Sequence, residues 1–219
     1  MRIRPVGAHA LLLDCTDSAD VPEATLVEAW RAELWRRRER GDLIAVEIVP
    51  AARTVLLDGL PDPSTTAEQV TRWAPAVTAA TVRPDKTTAS HDDDADVVVP
   101  VCFDGPDLPA VAAHWGVDVS AVRHRLTSTR FRVAFCGFAP GFPYLTGLPA
   151  ELALPRLATP RPRVPAGSVA LAGPYAGIYP GASPGGWQLV GRTDLVLFDV
   201  TADPPARLGP GRTVRMVAA

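Results

Sequence analysis

V-A-F-C-G-F-A-P-G-F-P-Y-L (Val133–Leu145), R-V-P-A-G-S-V (Arg163–Val169) and S-P-G-G-W-Q-L-V-G-R-T (Ser183–Thr193) decide the fold of the second half of the chain. Short apolar runs alternate there with proline and glycine, so the backbone is turned and stiffened at many points. Arg130–Phe135 leads into the stretch with a clean alternation: Phe131, Val133 and Phe135 on one face, Arg130 and Arg132 on the other. That is the pattern of a half-buried strand. Further strands are expected at Ser168–Ala172, Trp187–Val190, Leu195–Phe198 and Thr213–Val217, with no long helix among them. Residues 125–219 hold 12 of the 17 glycines and 13 of the 23 prolines, and short strands punctuated so densely predict a closed or nearly closed β-barrel.

Upstream the pattern changes. Ala8–Leu13 has strand character; Asp20 and Pro22 then signal a helix start, Val27, Trp30 and Leu34 recur at helical spacing, and Gly41 closes the helix. Its last turns, R-R-R-E-R (Arg36–Arg40), read as cations complementing a helix C-terminus rather than as a nucleic-acid patch. Leu43–Val49 and Arg53–Asp58 are expected to form a hairpin through Pro50. Thr65 and Glu68 make a capping box ahead of Val70, Trp73 and Val77, in a short helix that Pro75 should kink or end. With Val97–Cys102 as the next strand, the order is β-α-β-β-α-β, the split arrangement of a ferredoxin-like sheet. The expected domains are therefore residues 1–90 and 97–219, joined by a polar linker at about 84–96. Leu108–His114 and Ser120–Leu126, separated by Gly116, read as an αα-hairpin capping a core; a DNA-reading helix-turn-helix is the rarer use of that pattern.

A chain of 219 residues with 47% hydrophobic residues buries a proper core. Its net charge of -2 argues against a dedicated nucleic-acid binder. The charge is unevenly placed, since residues 125–219 carry ten arginines against Glu151, Asp194, Asp199 and Asp203. A basic half beside an acidic one suggests an anion site or a partner of opposite field. Cys15, Cys102 and Cys136 each sit in an apolar run and read as buried reduced thiols. Ala8–Leu13 is too short for a signal peptide and no apolar stretch reaches 18 residues, so a soluble cytoplasmic protein with no membrane partner is expected.

The groups missing from residues 125–219 narrow the chemistry further. Histidine occurs only at positions 9, 91, 114 and 124, and the one lysine is Lys86. No P-loop, dinucleotide fingerprint or metal-ligand spacing is present, and Ser168 and Ser183 have no local base, which excludes a serine triad within this half. Arginines, hydroxyls and backbone amides remain, and these bind anions and polarise carbonyls. Arg156, Arg161 and Arg163 lie among prolines 155, 160, 162 and 165, which hold the backbone extended. In a strand Arg161 and Arg163 share a face; in polyproline II they diverge. Their forks suit a carboxylate or phosphate, or else pair with Asp199, Asp203 or acids of the first half. Pro184-Gly185-Gly186 after Ser183 either aims N–H groups at an oxyanion or turns tightly to place Trp187 in the core. Tyr175 and Tyr179 line a pocket or cover the barrel mouth. No catalytic acid or base is assigned, and a partner protein would have to complete the site.

Taken together, F-x-G-F-A-P-G-F-P-Y-L-x-G-L-P (135–149), P-R-x-x-T-P-R-x-R-V-P-A-G-S-V-A (155–170), G-I-Y-P (177–180), S-P-G-G-W-Q-L-V-G-R-T and L-F-D (197–199) closely resemble the family of 5-oxoprolinase B subunits, also called allophanate hydrolase subunit 1 or Kip-type kinase inhibitor. The resemblance is strong over about residues 97–217 and loose at the N-terminus. It implies an α+β protein with a small α/β N-terminal domain followed by a cyclophilin-like β-barrel, without prolyl isomerase activity. It also implies work with a related barrel protein, the 5-oxoprolinase C subunit, and with the A subunit in the ATP-dependent opening of 5-oxoproline to glutamate, with Mg2+ accompanying ATP. Carried over by position, Arg156 and Arg161 are expected to hold an anionic group, and Ser168, Tyr179, Ser183, Gly185 and Gly186 to line the site. Pro165, Ala166, Gly167, Pro184 and Trp187 would shape it, and no metal ligand is expected.

One position departs from the family pattern. Leu126 stands where a histidine is usual, two residues beyond His124, which is the residue that would have to take its place. The same resemblance leaves two other readings open: a regulator that inhibits a sensor histidine kinase, and a carboxyltransferase-like component of urea or allophanate metabolism. The absence of a biotin-attachment segment and of a fused second barrel from this sequence counts against the last.

Overall fold

A computed structural model describes residues 1–16, 21–82 and 97–219. They fall into two compact units, one within Met1–Asp93 and one within Asp94–Ala219. Asp20 and the stretch read as a linker at 84–96, with Lys86 and His91, lie outside the described residues.

The first unit runs β1 (Arg2–Val6), β2 (Ala10–Asp14), α1 (Glu23–Glu39), β3 (Glu47–Pro50), β4 (Thr54–Asp58) and α2 (Pro63–Val82). Its sheet is antiparallel throughout, in the order β1-β2-β4-β3. Leu11, Leu13, Val55 and Leu57 alternate onto the face that meets Leu26, Val27, Trp30 and Leu34 of α1 and Val70 and Val77 of α2. Helix α1 ends as expected. The Asp42 and Gly41 N–H groups return to the Arg37 and Arg38 carbonyls, and Arg36 and Arg37 pair with Glu33 one turn back.

Three expectations change here. Val97–Cys102 is not the fourth strand of this sheet, because β5 (Val97–Val101) pairs in parallel with the C-terminal strand of the other unit. The edge beside β2 is filled instead by β1, whose tight turn through Gly7 makes pairing local and its loop-closure cost small. Helix α2 starts earlier than the Thr65–Glu68 box predicts. Asp62 accepts from the Ser64 and Thr65 N–H groups and Pro63 occupies the first helical position. Nor does Pro75 end it; α2 runs on through 20 residues, its Val70 and Val77 held in the core.

The second unit continues with α3 (Leu108–Trp115), α4 (Val119–Ser128), β6 (Arg130–Cys136), β7 (Pro143–Thr146), β8 (Arg161–Val164), β9 (Ser168–Ala172), β10 (Tyr175–Ile178), β11 (Ser183–Gly185), β12 (Gln188–Arg192) and β13 (Thr213–Ala218). Seven strands form the sheet β12-β9-β10-β7-β6-β13-β5. It nearly closes on itself: Cys102, just past β5, exchanges both backbone hydrogen bonds with Arg192 of β12, at 2.8 and 2.9 Å. The molecule is thus an α+β protein with a nearly closed, cyclophilin-like barrel. Phe131, Val133, Leu145, Val169, Leu171 and Ile178 fill its interior, and α3 and α4 add Val111, Val122 and Leu126 to the same core. Leu195–Phe198 is not a strand; beyond one bridge from Phe198 to Ala206 it is a loop around buried Leu197. Among the described residues no helix is long and apolar enough to cross a membrane.

Candidate functional site

Two short strands outside the barrel sheet, each with a proline, carry Arg161, Ser183, Pro184 and Gly185 of the expected residues. β8 and β11 pair with each other, Arg161 opposite Gly185 and Val164 opposite Ser183. The segment 161–164 is therefore a strand rather than polyproline II, and 183–185 is extended rather than turned. Gly186 extends the arm by accepting from the Leu157 N–H at 2.7 Å, and Trp187 beyond it is buried.

The arm rests on an aromatic bed. Phe142 packs perpendicular to Tyr179 at 5.1 Å and to Trp187 at 5.4 Å, with Tyr144 5.5 Å from Trp187. Tyr179 is fully buried, and its hydroxyl explains Gly185: a Cβ there would stand 2.3 Å from that oxygen. Burial pushes the Tyr179 phenol above its ordinary range, while the Trp187 backbone and the charges of Arg156 and Arg161 act the other way. At neutral pH it is a neutral phenol, suited to hydrogen bonding and not to base catalysis. Gly167 has a comparable reason, with φ at +77° and the Thr193 carbonyl 2.1 Å from where a Cβ would be.

The arginines separate into two kinds. Arg161 is committed: its guanidinium donates to Asp107 Oδ1 at 2.7 Å and to the Trp187 carbonyl at 3.4 Å. Asp107 Oδ2 in turn accepts from the Leu189 N–H at 2.6 Å, so one carboxylate ties the start of α3 to β8 and β12. Of the possible partners, it is an acid of the first half that takes Arg161, while Asp199 accepts from Thr201. Arg156 and Arg163 are exposed, and neither forms an ion pair among the described residues. The hydroxyls divide likewise. Ser168 donates to the Pro165 carbonyl at 2.8 Å and fastens the exposed Pro165–Ala166 turn, whereas Ser183 Oγ is a buried oxygen with no hydrogen-bond partner. An unmade hydrogen bond in such a place is costly unless a ligand or partner completes it.

Asp107 is the residue that sequence reasoning missed. Standing before a helix with proline near its start, it reads as an N-cap, but its side chain makes no cap bond. Leu126 lies in the barrel core with none of its surface exposed, while His124, two residues earlier on α4 and so on another face, is exposed; His124 does not take its place. No group of three or more His, Cys, Asp or Glu among the described residues is arranged to hold a metal, and both oxygens of Asp107 are engaged by the chain itself. An open groove of about 490 Å3 in the first unit, lined by Ile3, Leu11, Ala67 and Thr71 among others, contains none of the expected residues.

The fold and site define a class before they define a family. Residues 1–208 match the family model described as carboxyltransferase domain, subdomain C and D. The crystal structure of the urea carboxylase of Kluyveromyces lactis superposes with a TM-score of 0.60 over 99% of this chain and 21% of that one, at 21% identity, which shows the fold alone. TTHA0988, a solved structure, superposes with a TM-score of 0.70 at 32% identity, covering all of this chain and 40% of that one. A protein of Escherichia coli O157:H7 named as the B subunit of 5-oxoprolinase is 39% identical over 223 residues, 97% of this chain and 93% of that protein. The chain belongs to the family of 5-oxoprolinase B subunits.

Proposed function

We propose that the chain is a subunit of an ATP-dependent 5-oxoprolinase, a cytoplasmic hydrolase complex that opens 5-oxo-L-proline to L-glutamate. Similarity to a protein named as a 5-oxoprolinase B subunit, over nearly the whole of both chains, carries this reading. A stable lactam needs activation. The γ-phosphoryl group of ATP passes to the lactam oxygen and ADP leaves; water then adds to the activated carbon and the ring C–N bond breaks, the nitrogen leaving as the protonated amine, and a second water hydrolyses the resulting acyl phosphate to the carboxylate and free phosphate.

The chain supports part of that chemistry. Arg156 offers the substrate carboxylate a cation that no acid among the described residues holds, and buried Ser183 Oγ offers a hydrogen-bonding group unused among them. Arg161 aligns the arm through Asp107. With a neutral Tyr179 and no histidine after position 124, the site lacks its own general base, and the related barrel of the C subunit, together with the A subunit, supplies the remaining groups. Mg2+ accompanies ATP in the assembled complex.

The test is to purify the chain with its candidate A and C subunits and to follow ADP release with and without 5-oxoproline. The expected result is a stable complex whose ADP release depends on 5-oxoproline. No complex and no stimulation would overturn the reading.

A further inference from the structure

Phe138 is the described non-glycine residue with a left-handed backbone, at φ +69°, and 62% of it is exposed. Its turn is tightly specified. The Ala139 N–H donates to the Gly137 carbonyl at 2.8 Å, a three-residue turn centred on Phe138 of the strained kind that has a positive central φ. A second turn follows, with the Phe142 N–H donating to the Ala139 carbonyl at 3.0 Å, Pro140 and Gly141 in its central positions and Gly141 at φ +76°. The Gly137 N–H then closes the loop on the Phe142 carbonyl at 3.2 Å. A bulky residue is disfavoured in that conformation, and glycine would hold it without penalty. Local folding therefore gives no reason for a phenylalanine.

Its surroundings give one. The ring stands nearly perpendicular to Phe142 at 5.4 Å and to Tyr179 at 6.2 Å, so it rises from the edge of the aromatic bed. Gly185 lies against the Tyr179 hydroxyl, and the next residue, Gly186, accepts from the N–H of Leu157, the neighbour of Arg156, at 2.7 Å. The site thus joins an exposed apolar wall to a cation with no ion pair among the described residues and a buried hydroxyl without a partner there. A small ring carrying one carboxylate fits that combination, with its flat apolar face against Phe138 and its charge toward Arg156.

We propose that Phe138 is a substrate-binding and specificity-determining residue whose ring packs against the lactam ring of 5-oxoproline. This rests on the function proposed above. Strain at the turn is kept because it sets the ring over the bed in advance, so little side-chain freedom is lost when substrate binds.

The test uses the reconstituted complex, with ADP release measured across 5-oxoproline and ATP concentrations for the wild type and for F138A, F138G and F138Y. Losing an apolar wall around a small ligand is expected to raise KM for 5-oxoproline by about tenfold in F138A and F138G. Their kcat and their KM for ATP should stay within about twofold, as expected when binding common to ground and transition states is removed. F138Y should resemble the wild type, and F138G should melt no lower than it, because glycine relieves the backbone. An unchanged KM for 5-oxoproline in F138A would overturn the proposal. So would a rise confined to the KM for ATP, which would make the ring an adenine contact. Loss of copurification in F138A and F138G would overturn it too, making the ring a contact between proteins of the complex. Failure of the functional reading shows separately, as absence of 5-oxoproline dependence in the wild type, and takes this inference with it.

Discussion

Asp107 and Arg161 show how a single residue changes the meaning of a motif. Arginine among prolines reads as an anion binder, and Arg161 does bind a carboxylate, but one belonging to its own chain at 2.7 Å. Asp107 is nearly buried, so removing its charge leaves Arg161 and the Leu189 N–H without their acceptor. Asp107→Ala is expected to cost about 2 kcal/mol in urea unfolding, the scale of a lost charge-assisted hydrogen bond in a partly buried place. Arg156→Ala should leave urea unfolding unchanged while raising KM for 5-oxoproline in the assembled complex. An Arg156→Ala chain that unfolds as early as Asp107→Ala would refute this division of roles. Thiol chemistry gives a second check at this scale. Burial pushes Cys15 and Cys136 up to about 11, leaving both as neutral thiols at pH 8. Iodoacetamide at that pH should spare both in the folded chain and modify them once urea has unfolded it; peptide mass mapping reads the difference.

Among the elements, helix starts couple to pH. Asp62 accepts from Thr65 and Ser64, and Asp118 from Ser120 and the Ala121 N–H; these hydrogen bonds hold both carboxyls below their ordinary value of 3.8. A carboxyl whose folded pKa is depressed stabilises the fold above its unfolded pKa, and that contribution fades as pH falls through the folded one. The window therefore opens at about pH 4 and extends downward. Asparagine caps helices well without titrating. The D62N/D118N variant should lose less stability than the wild type between about pH 4 and pH 2, measured by urea unfolding at each pH. Equal slopes would show that these caps do not contribute to the acid limb. The beginning of α2 also shows why its sequence misleads: Thr65–Glu68 satisfies a capping pattern, yet Asp62 followed by Pro63 satisfies one earlier, and the chain uses the start that adds turns to the helix.

For the whole molecule, the apolar cores close within each unit. One draws on β2, β3, β4, α1 and α2, and the other on the barrel strands with α3 and α4. Residues 97–219 expressed alone are accordingly expected to keep cooperative urea unfolding and a barrel-type far-UV circular dichroism spectrum. An uncooperative or aggregated fragment would show that the barrel needs the first unit to fold. Within the barrel, Gly191 and Gly105 let backbones approach where Cys102 meets β12: a Cβ on Gly191 would meet the Cys102 carbonyl at 2.5 Å, and one on Gly105 the Leu189 carbonyl at 2.3 Å.

Periodicity and turn chemistry made much of this legible without coordinates. Alternation marked β6, helical spacing placed Val27, Trp30 and Leu34, and the arginines, hydroxyls and glycines of the candidate site could be named from their motifs. Those signals are local, each written within about ten residues of chain. Pairings across the chain carry no such signature. That β5 joins β13 and not the first sheet, that Asp107 takes up Arg161, and that Ser183 is left with a free oxygen while Ser168 is not all depend on which distant segments meet. Burial and hydrogen-bond partners belong to the folded chain, and they separate Arg161, tied to Asp107, from Arg156 and Arg163, which are exposed.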